Sequence, residues 1–82
     1  MGYFEDKEKE LREALRLNPN NALAHNNLGV VLYHLKRYEE AEKEFREALR
    51  LKPNLDDAHD NLRDIIIYPY LNKEEEKKRG LK

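Results

Sequence analysis

The chain of 82 residues contains no cysteine and no tryptophan, and it has only three glycines and three prolines. Without cysteine there is no disulfide, no thiolate metal site and no thiol nucleophile. The glycines stand too far apart to form a phosphate-binding loop. No apolar run approaches the roughly 20 residues of a membrane-spanning helix, and no signal peptide is visible. We therefore expect a protein of the default compartment, the cytoplasm.

The charge of the chain is nearly balanced. Lysine and arginine sum to 16, aspartate and glutamate to 17, and the formal net charge is −1. A general nucleic-acid binder needs a clustered excess of positive charge, so this class is not expected. Charged residues make up 40% of the chain, which would permit disorder, but the apolar residues are periodic. Periodic apolar residues are typical of a folded helical chain.

The sequence repeats itself with a period of 34 residues. Residues 8–20 (EKELREALRLNPN) and 42–54 (EKEFREALRLKPN) are identical at eleven of thirteen positions. The offset continues downstream, where residues 24–28 and 58–62 share Ala, His, Asn and Leu at matching positions. A fixed period of this length indicates stacked supersecondary units.

Apolar spacing within the repeats predicts four amphipathic helices. They cover residues 4–17, 22–35, 38–51 and 56–68. Pro69 removes a helical hydrogen bond, and it is expected to end or kink the fourth helix. Residues 69–82 are then a charged tail, within which the run at 73–79 favours a short fifth helix.

The repeat resembles the tetratricopeptide repeat, an all-α fold of antiparallel helix–turn–helix units in a right-handed solenoid. Six positions of the pattern match at the right spacing: Leu28, Gly29, Ala41, Phe45, Ala48 and Pro53. His25 takes the usual Trp position and Leu32 the usual Tyr position. The resemblance implies one domain, with the second helix of a half repeat at 1–21, a full repeat at 22–55, and the first helix of a further half repeat at 56–68.

The positions of Gly29 and Ala41 in the repeat differ between the middle and the two ends of the chain. A helical glycine costs about 1 kcal/mol relative to alanine, so another backbone should approach it closely. In the family this small residue faces the one represented here by Ala41. At the ends the same positions hold long cations, Arg63 for Gly29 and Lys7 for Ala41. We interpret these as polar caps that make 1–82 a whole folding unit, with random drift at surface positions as the alternative.

The resemblance implies a non-enzymatic module that binds a peptide or protein partner in a concave groove lined by the first helix of each hairpin. The matching positions are Leu23, Asn26, Asn27, Val30, Tyr33, His34, Asp57, Asp60, Asp64 and Ile67. Some family members clamp a peptide carboxylate with lysine and arginine here, but this chain has aspartates at those turns. A basic or mixed polar–apolar segment therefore fits better, although the aspartates alternatively serve only to solubilise the surface.

Self-assembly is the alternative function. Apolar residues remain near the open ends, and the candidates for self-association are Tyr3, Phe4, Ile67, Tyr68, Tyr70 and Leu71. Alternatively, 68–71 folds back onto the third helix as a lid. Head-to-tail stacking of such ends would be open-ended, whereas a two-fold pairing closes. A swap that places Arg63 against Lys7 is disfavoured, because two cations would meet. Near-identical repeats are also typical of consensus-like or engineered building blocks and of thermophile proteins.

No constellation of residues indicates an enzyme, and no cofactor is expected. The repeated histidines, His25 and His59, occupy one structural position twice, and we expect them to pack beside the helix axis. Asp56, His59, Asp60 and Asp64 share one side of a helix and are types that suit divalent metals. Acidic residues near a helix N-terminus have a simpler role in offsetting the macrodipole, and we expect no metal site.

Overall fold

The computed structural model of the chain describes the backbone of residues 2–78 and the side chains of residues 2–67. Within that part the chain forms four helices and no strand. They are α1 (Tyr3–Leu17), α2 (Ala22–His34), α3 (Tyr38–Leu51) and α4 (Asp56–Lys78). The helix α2 packs against α1, α3 and α4, and α3 also packs against α4. The all-α architecture of antiparallel helix–turn–helix repeats is therefore confirmed.

The turns between helices are short because each has a defined local stop. Asn21 caps α2 by accepting a hydrogen bond from the backbone N–H of Ala24 at 3.0 Å. At the other end of α2, Lys36 adopts a left-handed conformation with φ of 64°, and the N–H of Arg37 returns to the carbonyl of Leu32 at 2.9 Å. The chain then reverses directly into α3, which forms the central hairpin.

The core is concentrated in this α2–α3 hairpin. Phe45, Leu28 and Leu32 are the largest side chains with almost no exposure, and α4 adds the buried Ile65. A second, smaller cluster joins Ala48 to residues of the α3–α4 connection and α4, namely Leu55 and Ala58. Burial of this kind is the main source of helical stability in proteins.

Gly29 is a point of close approach within the hairpin, as expected for a helical glycine. A Cβ atom added at Gly29 would lie 2.5 Å from Cε1 of Phe45, and all three nearest atoms belong to the same ring. The nearest neighbour of Gly29 is therefore the Phe45 ring, which shares its core cluster with Ala41. Ala41 is fully buried, but the missing side chain at residue 29 makes room for a phenylalanine ring.

The helix α4 is longer than the sequence predicted. It continues through Pro69 to Lys78, so Pro69 does not end the helix, and residues 73–78 belong to α4 rather than to a separate fifth helix. The proline removes one hydrogen bond and crowds the carbonyl four residues before it, but the following YLNKEEEKK is rich in strong helix formers that favour continuation. A continuous helix also excludes the chain reversal that a lid at 68–71 requires. Residues 79–82 lie outside the described part.

The repeated histidines tie loops to helices. The Nε2 atom of His25 lies 2.8 Å from the carbonyl oxygen of Pro19, and that of His59 lies 2.7 Å from the carbonyl oxygen of Pro53. His25 also places Nδ1 2.7 Å from a carboxylate oxygen of Glu44 on α3. Both rings therefore hold the preceding turn against the following helix, which confirms that they occupy one structural position twice.

An ion-pair network joins α1 to the central hairpin. Arg37 donates to Glu8 of α1 at 2.8 Å and to Glu40 of α3 at 2.8 and 2.9 Å. The Arg37 hydrogen bond holds the pKa of Glu8 below its usual value, against the opposing effect of desolvation, and it also lowers the pKa of Glu40. Arg12 adds a second donor to Glu8 at 2.9 Å. Glu8 is the most covered carboxylate of this network, with 15% of its side chain exposed.

Replacing this carboxylate gives the first testable prediction. The variant Glu8→Gln should lower the free energy of unfolding at neutral pH by about 1 kcal/mol, because the charge-assisted bonds from two arginines are lost. The folded-state pKa of Glu8 is depressed, so its stabilising contribution is fully present above about pH 4.5 and is lost as pH falls through the folded-state value. The difference between wild type and variant should therefore shrink on acidification.

Urea unfolding at several pH values measures this difference. Glu10→Gln is the matched control, because Glu10 lies on the same helix but is 68% exposed and, among the described residues, pairs only with Lys7 at 3.5 Å. The control should change the stability by less than about 0.5 kcal/mol. A difference for Glu8→Gln that persists unchanged well below pH 4 would contradict the role of its charge.

Candidate functional site

A cleft lies between α2 and α4 on the face where the groove was expected. It has a volume of about 200 Å³. Its lining combines aromatic and aliphatic surface with amide and carboxylate groups: Val30, Tyr33, His34, Phe45, Asn61 and Asp64. Small-molecule sites usually enclose about 300–1,000 Å³, so this cleft suits one or two side chains of a larger partner.

The sequence-predicted groove residues fall into three groups in the structure. The α2–α4 cleft brings together Val30, Tyr33, His34 and Asp64. Asn27 is exposed and lies in a neighbouring cleft. The remaining predicted residues are exposed and line neither cleft: Leu23, Asp57, Asp60 and Ile67.

Asn26 is the exception, because it is buried rather than offered to a partner. Only 5% of it is exposed, and its Oδ1 accepts a hydrogen bond at 3.0 Å from Nδ2 of Asn61. The prediction that Asn26 is a groove contact was therefore wrong. A buried amide without a partner is costly, and here the pairing with Asn61 meets that need while it joins α2 to α4.

A second, wider cleft of about 520 Å³ lies between α1 and α2. Its floor contains Leu11, Ala14 and Val31, and its rim includes Lys7 and Glu10, which pair with each other at 3.5 Å. Residues Val30 and His34 line this cleft as well as the first one. They therefore form a ridge of α2 that separates two neighbouring depressions.

Aromatic rings close one end of both clefts. Phe4 stacks on His34 with ring centroids 4.5 Å apart, and Tyr33 meets the edge of His34 at 5.8 Å. Tyr3 stands beside Phe4 at 5.2 Å and is 68% exposed. Two of the predicted self-association residues, Tyr3 and Phe4, thus belong to this aromatic group. Of the other four predicted residues, Ile67 is 41% exposed, and the side chains of Tyr68, Tyr70 and Leu71 lie outside the described part.

The α4 wall carries exposed acidic groups. Asp57, Asp60 and Asp64 are all exposed, and Asp60 accepts a hydrogen bond from Arg63 at 3.0 Å. Across the cleft, α2 contributes no acidic residue. The site can therefore accept an apolar side chain at Val30 and Tyr33 together with a cationic or hydrogen-bond-donating group at α4.

Sequence reasoning missed two lining residues, Asn61 and Phe45. Asn61 is the repeat equivalent of Asn27, which was included, so the 34-residue offset was a signal that would have found it. Phe45 carried no such signal, because its position in the pattern marks it as core. It is 2% exposed, and only part of its ring reaches the cleft.

The possible metal ligands are not gathered into a site. Within the described residues no group of three or more histidine or acidic side chains has the arrangement to hold an ion, and this includes Asp56, His59, Asp60 and Asp64. Over the same part of the chain, no helix combines the length and the apolar character needed to cross a bilayer.

Comparison with known protein families agrees with the geometry. A profile described as tetratricopeptide repeat matches residues 5–56, which is more than half of the chain. A search of the curated proteins gives no significant match. The matched region spans α1, the central hairpin and the start of α4, where the helix–turn–helix pattern was derived from the sequence. The chain therefore belongs to the tetratricopeptide repeat family, whose members are generally non-catalytic modules of protein–protein interaction.

Proposed function

We propose that the chain is a cytoplasmic, non-enzymatic module that binds a protein or peptide segment in the groove formed by α2 and α4. The observation that carries this proposal is the α2–α4 cleft, which places the apolar surface of Val30 and Tyr33 opposite Asp64. Its small volume suits an anchoring side chain better than a free metabolite. Asp57 and Asp60 extend the acidic wall beyond the cleft, so the segment has an apolar anchor flanked by lysine or arginine.

The acidic wall also explains why a carboxylate-binding groove is not proposed. An anionic peptide end would meet Asp60 and Asp64 without a compensating lysine at the same turns. Arg63, the nearby cation, already donates to Asp60. Like charges placed together at an interface disfavour the wrong partner, so charge gives this groove its selectivity.

Short synthetic peptides test the proposal directly. One set carries a single Leu or Phe anchor with two Lys residues about one helical turn away, and the matched set carries Glu in place of Lys. We expect the Lys set to shift the backbone amide signals of Val30, Tyr33, Asn61 and Asp64 in nuclear magnetic resonance spectra. The Glu set should leave them unchanged, and added salt should weaken the binding of the Lys set.

The variant Asp64→Lys should weaken binding of the Lys peptides at least about tenfold, since it replaces an attractive charge by a repulsive one. The control Glu39→Lys makes the same change of charge on α3, outside the α2–α4 cleft, and should have little effect. Equal binding of the Lys and Glu sets, or shifts confined to α3, would contradict the proposal.

Self-assembly remains a second candidate function, because a specific observation favours it. Ile66 is 47% exposed, whereas its repeat equivalent Leu32 is completely buried in the central hairpin. Within the described residues, α4 therefore exposes an apolar position that is covered in the central hairpin.

A further inference from the structure

The two ends of the chain are complementary halves of one hairpin. The helix α1 repeats the sequence of α3, and α4 repeats that of α2, at an offset of 34 residues. Between α2 and α4, α3 is covered so well that Ala41, Phe45 and Ala48 are at most 2% exposed. The equivalents of the last two in α1 are Leu11, which is half-buried, and Ala14, which is exposed. We propose that separate copies of the chain join head to tail, with α4 of one copy packing on α1 and α2 of the next.

The α1–α2 cleft is the receiving surface. In the central hairpin the helix that covers α3 also lies beside the next helix of its own kind, as α2 lies beside α4. A helix placed against α1 in the same register lies in the 520 Å³ cleft, over Leu11 and Ala14 and beside Val31. The cleft is therefore the vacant position of a helix that has the pattern of α2. The chain offers such a helix in α4, with Leu62 and Ile66 at the positions of Leu28 and Leu32.

The register also pairs the polar groups. Within one chain, His25 reaches Glu44 at 2.7 Å, and these residues correspond to His59 on α4 and Glu10 on α1. Both His59 and Glu10 are exposed, and Nε2 of His59 already contacts the Pro53 carbonyl, as Nε2 of His25 contacts that of Pro19. The contact between copies brings Nδ1 of His59 to Glu10.

A second polar pair follows from the contact between α2 and α4. Asn61 donates to Asn26 at 3.0 Å, and the equivalents of these residues are Asn27 and Asp60. Between copies, the amide of Asn27 in the α1–α2 cleft donates to the carboxylate of Asp60. The direction of donation is preserved, because the acceptor position holds a carboxylate.

The two cations limit the strength of this contact. Arg63 stands at the position of Gly29, and Lys7 stands at that of Ala41. Each already has a carboxylate partner on its own helix, since Arg63 donates to Asp60 at 3.0 Å and Lys7 to Glu10 at 3.5 Å. The ring that fills the space at Gly29 is replaced in α1 by the smaller Leu11. The cations therefore weaken the association without forbidding it, and the contact is open-ended because it joins two different surfaces.

Light scattering and sedimentation equilibrium between roughly 10 µM and 1 mM cover the range expected of a small, weak interface. We expect the average mass to rise steadily above 9.9 kDa with concentration. Ile66→Glu blocks the α4 end and Ala14→Glu blocks the α1 end, and both positions are exposed in the single chain. Each variant alone should stay monomeric with unchanged helicity.

An equimolar mixture of the two blocked variants distinguishes head-to-tail joining from every symmetric arrangement. Each variant retains the end that the other lacks, so the mixture should form a dimer and nothing larger. Leu23→Glu is the control, because Leu23 is 54% exposed and its repeat equivalent is the exposed Asp57. This control should assemble as the wild type does.

Lys7→Ala restores the residue of the central hairpin and should tighten the association about three- to tenfold by removing one of the two facing cations. Lys9→Ala is its control, since Lys9 corresponds to Lys43, which is exposed in the hairpin. A wild-type mass that stays at 9.9 kDa up to the highest concentration would overturn the proposal. Assembly of either blocked variant alone, a mixture that stays monomeric, or no effect of Lys7→Ala would overturn it as well.

Discussion

Truncation of Phe45 to alanine should cost about 3–5 kcal/mol of folding free energy, which is the usual range for a buried phenylalanine. Phe45 is the largest side chain of the core and is 2% exposed. Its ring occupies the space above Gly29, so the two helices of the hairpin cannot close over the cavity without a shift of backbone. A chain of this length has a total stability of about 4–12 kcal/mol, so the variant loses at least about a quarter of it.

Thermal unfolding followed by circular dichroism measures this effect. The melting temperature of Phe45→Ala should fall by at least about 12 °C, given a shift of about 4–8 °C per kcal/mol for small domains. Leu17→Ala is the control, because Leu17 is also apolar and helical but 70% exposed, and it should melt close to the wild type. Equal shifts for the two variants would show that the ring does not hold the hairpin together.

The helices α1, α2 and α3 were predictable because apolar spacing and turn residues, which are local features of the sequence, define them. The prediction of a helix at 22–35 differs from the observed α2 by one residue at its end, and that at 38–51 agrees with α3. Apolar spacing defines the body of each helix, and Pro19 and Pro53 stand in the turns between helices. The 34-residue repeat then supplied the order in which these helices stack.

The length of α4 was not predictable from the same signals. Pro69 is a local stop in a short window, yet its missing N–H costs one hydrogen bond in a helix that runs from Asp56 to Lys78. The helix formers after it allow the hydrogen-bond ladder to resume beyond the missing bond. Whether the helix continues depends on the cost of Pro69 and the helix propensities of the residues after it, summed along the whole segment. The proline considered alone does not give that sum.

The candidate groove was predicted in position but not in every side chain. Val30, Tyr33 and Asp64 line the α2–α4 cleft as expected, because their place on the helix follows from its period. Asn26 has the same period, but it turns inward because Asn61 supplies the hydrogen bond that its burial requires. This pairing between two helices is a tertiary contact, which the periodicity of a single helix does not predict. Only the 34-residue offset indicated an amide at Asn61.

The close approach of Phe45 to Gly29 predicts that the same substitution, to leucine, changes the stability very differently at two repeat-equivalent positions. Gly29→Leu should destabilise the chain by about 3 kcal/mol, because a Cβ atom alone would already lie 2.5 Å from the Phe45 ring and the site is buried. The gain in helix propensity, about 1 kcal/mol, is too small to offset overpacking of this extent. Urea unfolding at low protein concentration measures the change.

Arg63→Leu is the matched control at the equivalent position of α4. Arg63 is exposed and donates only to Asp60 among the described residues, so the same leucine should change the stability by no more than about 0.5 kcal/mol. The two positions are the same in the repeat, so the difference in destabilisation between the two variants measures the effect of packing against the neighbouring helix. If both leucines were tolerated equally, the approach of Phe45 to Gly29 would not be the contact that fixes the hairpin. If only Gly29→Leu unfolds the chain, that contact sets the spacing of α2 and α3, and with it the width of the cleft beside them.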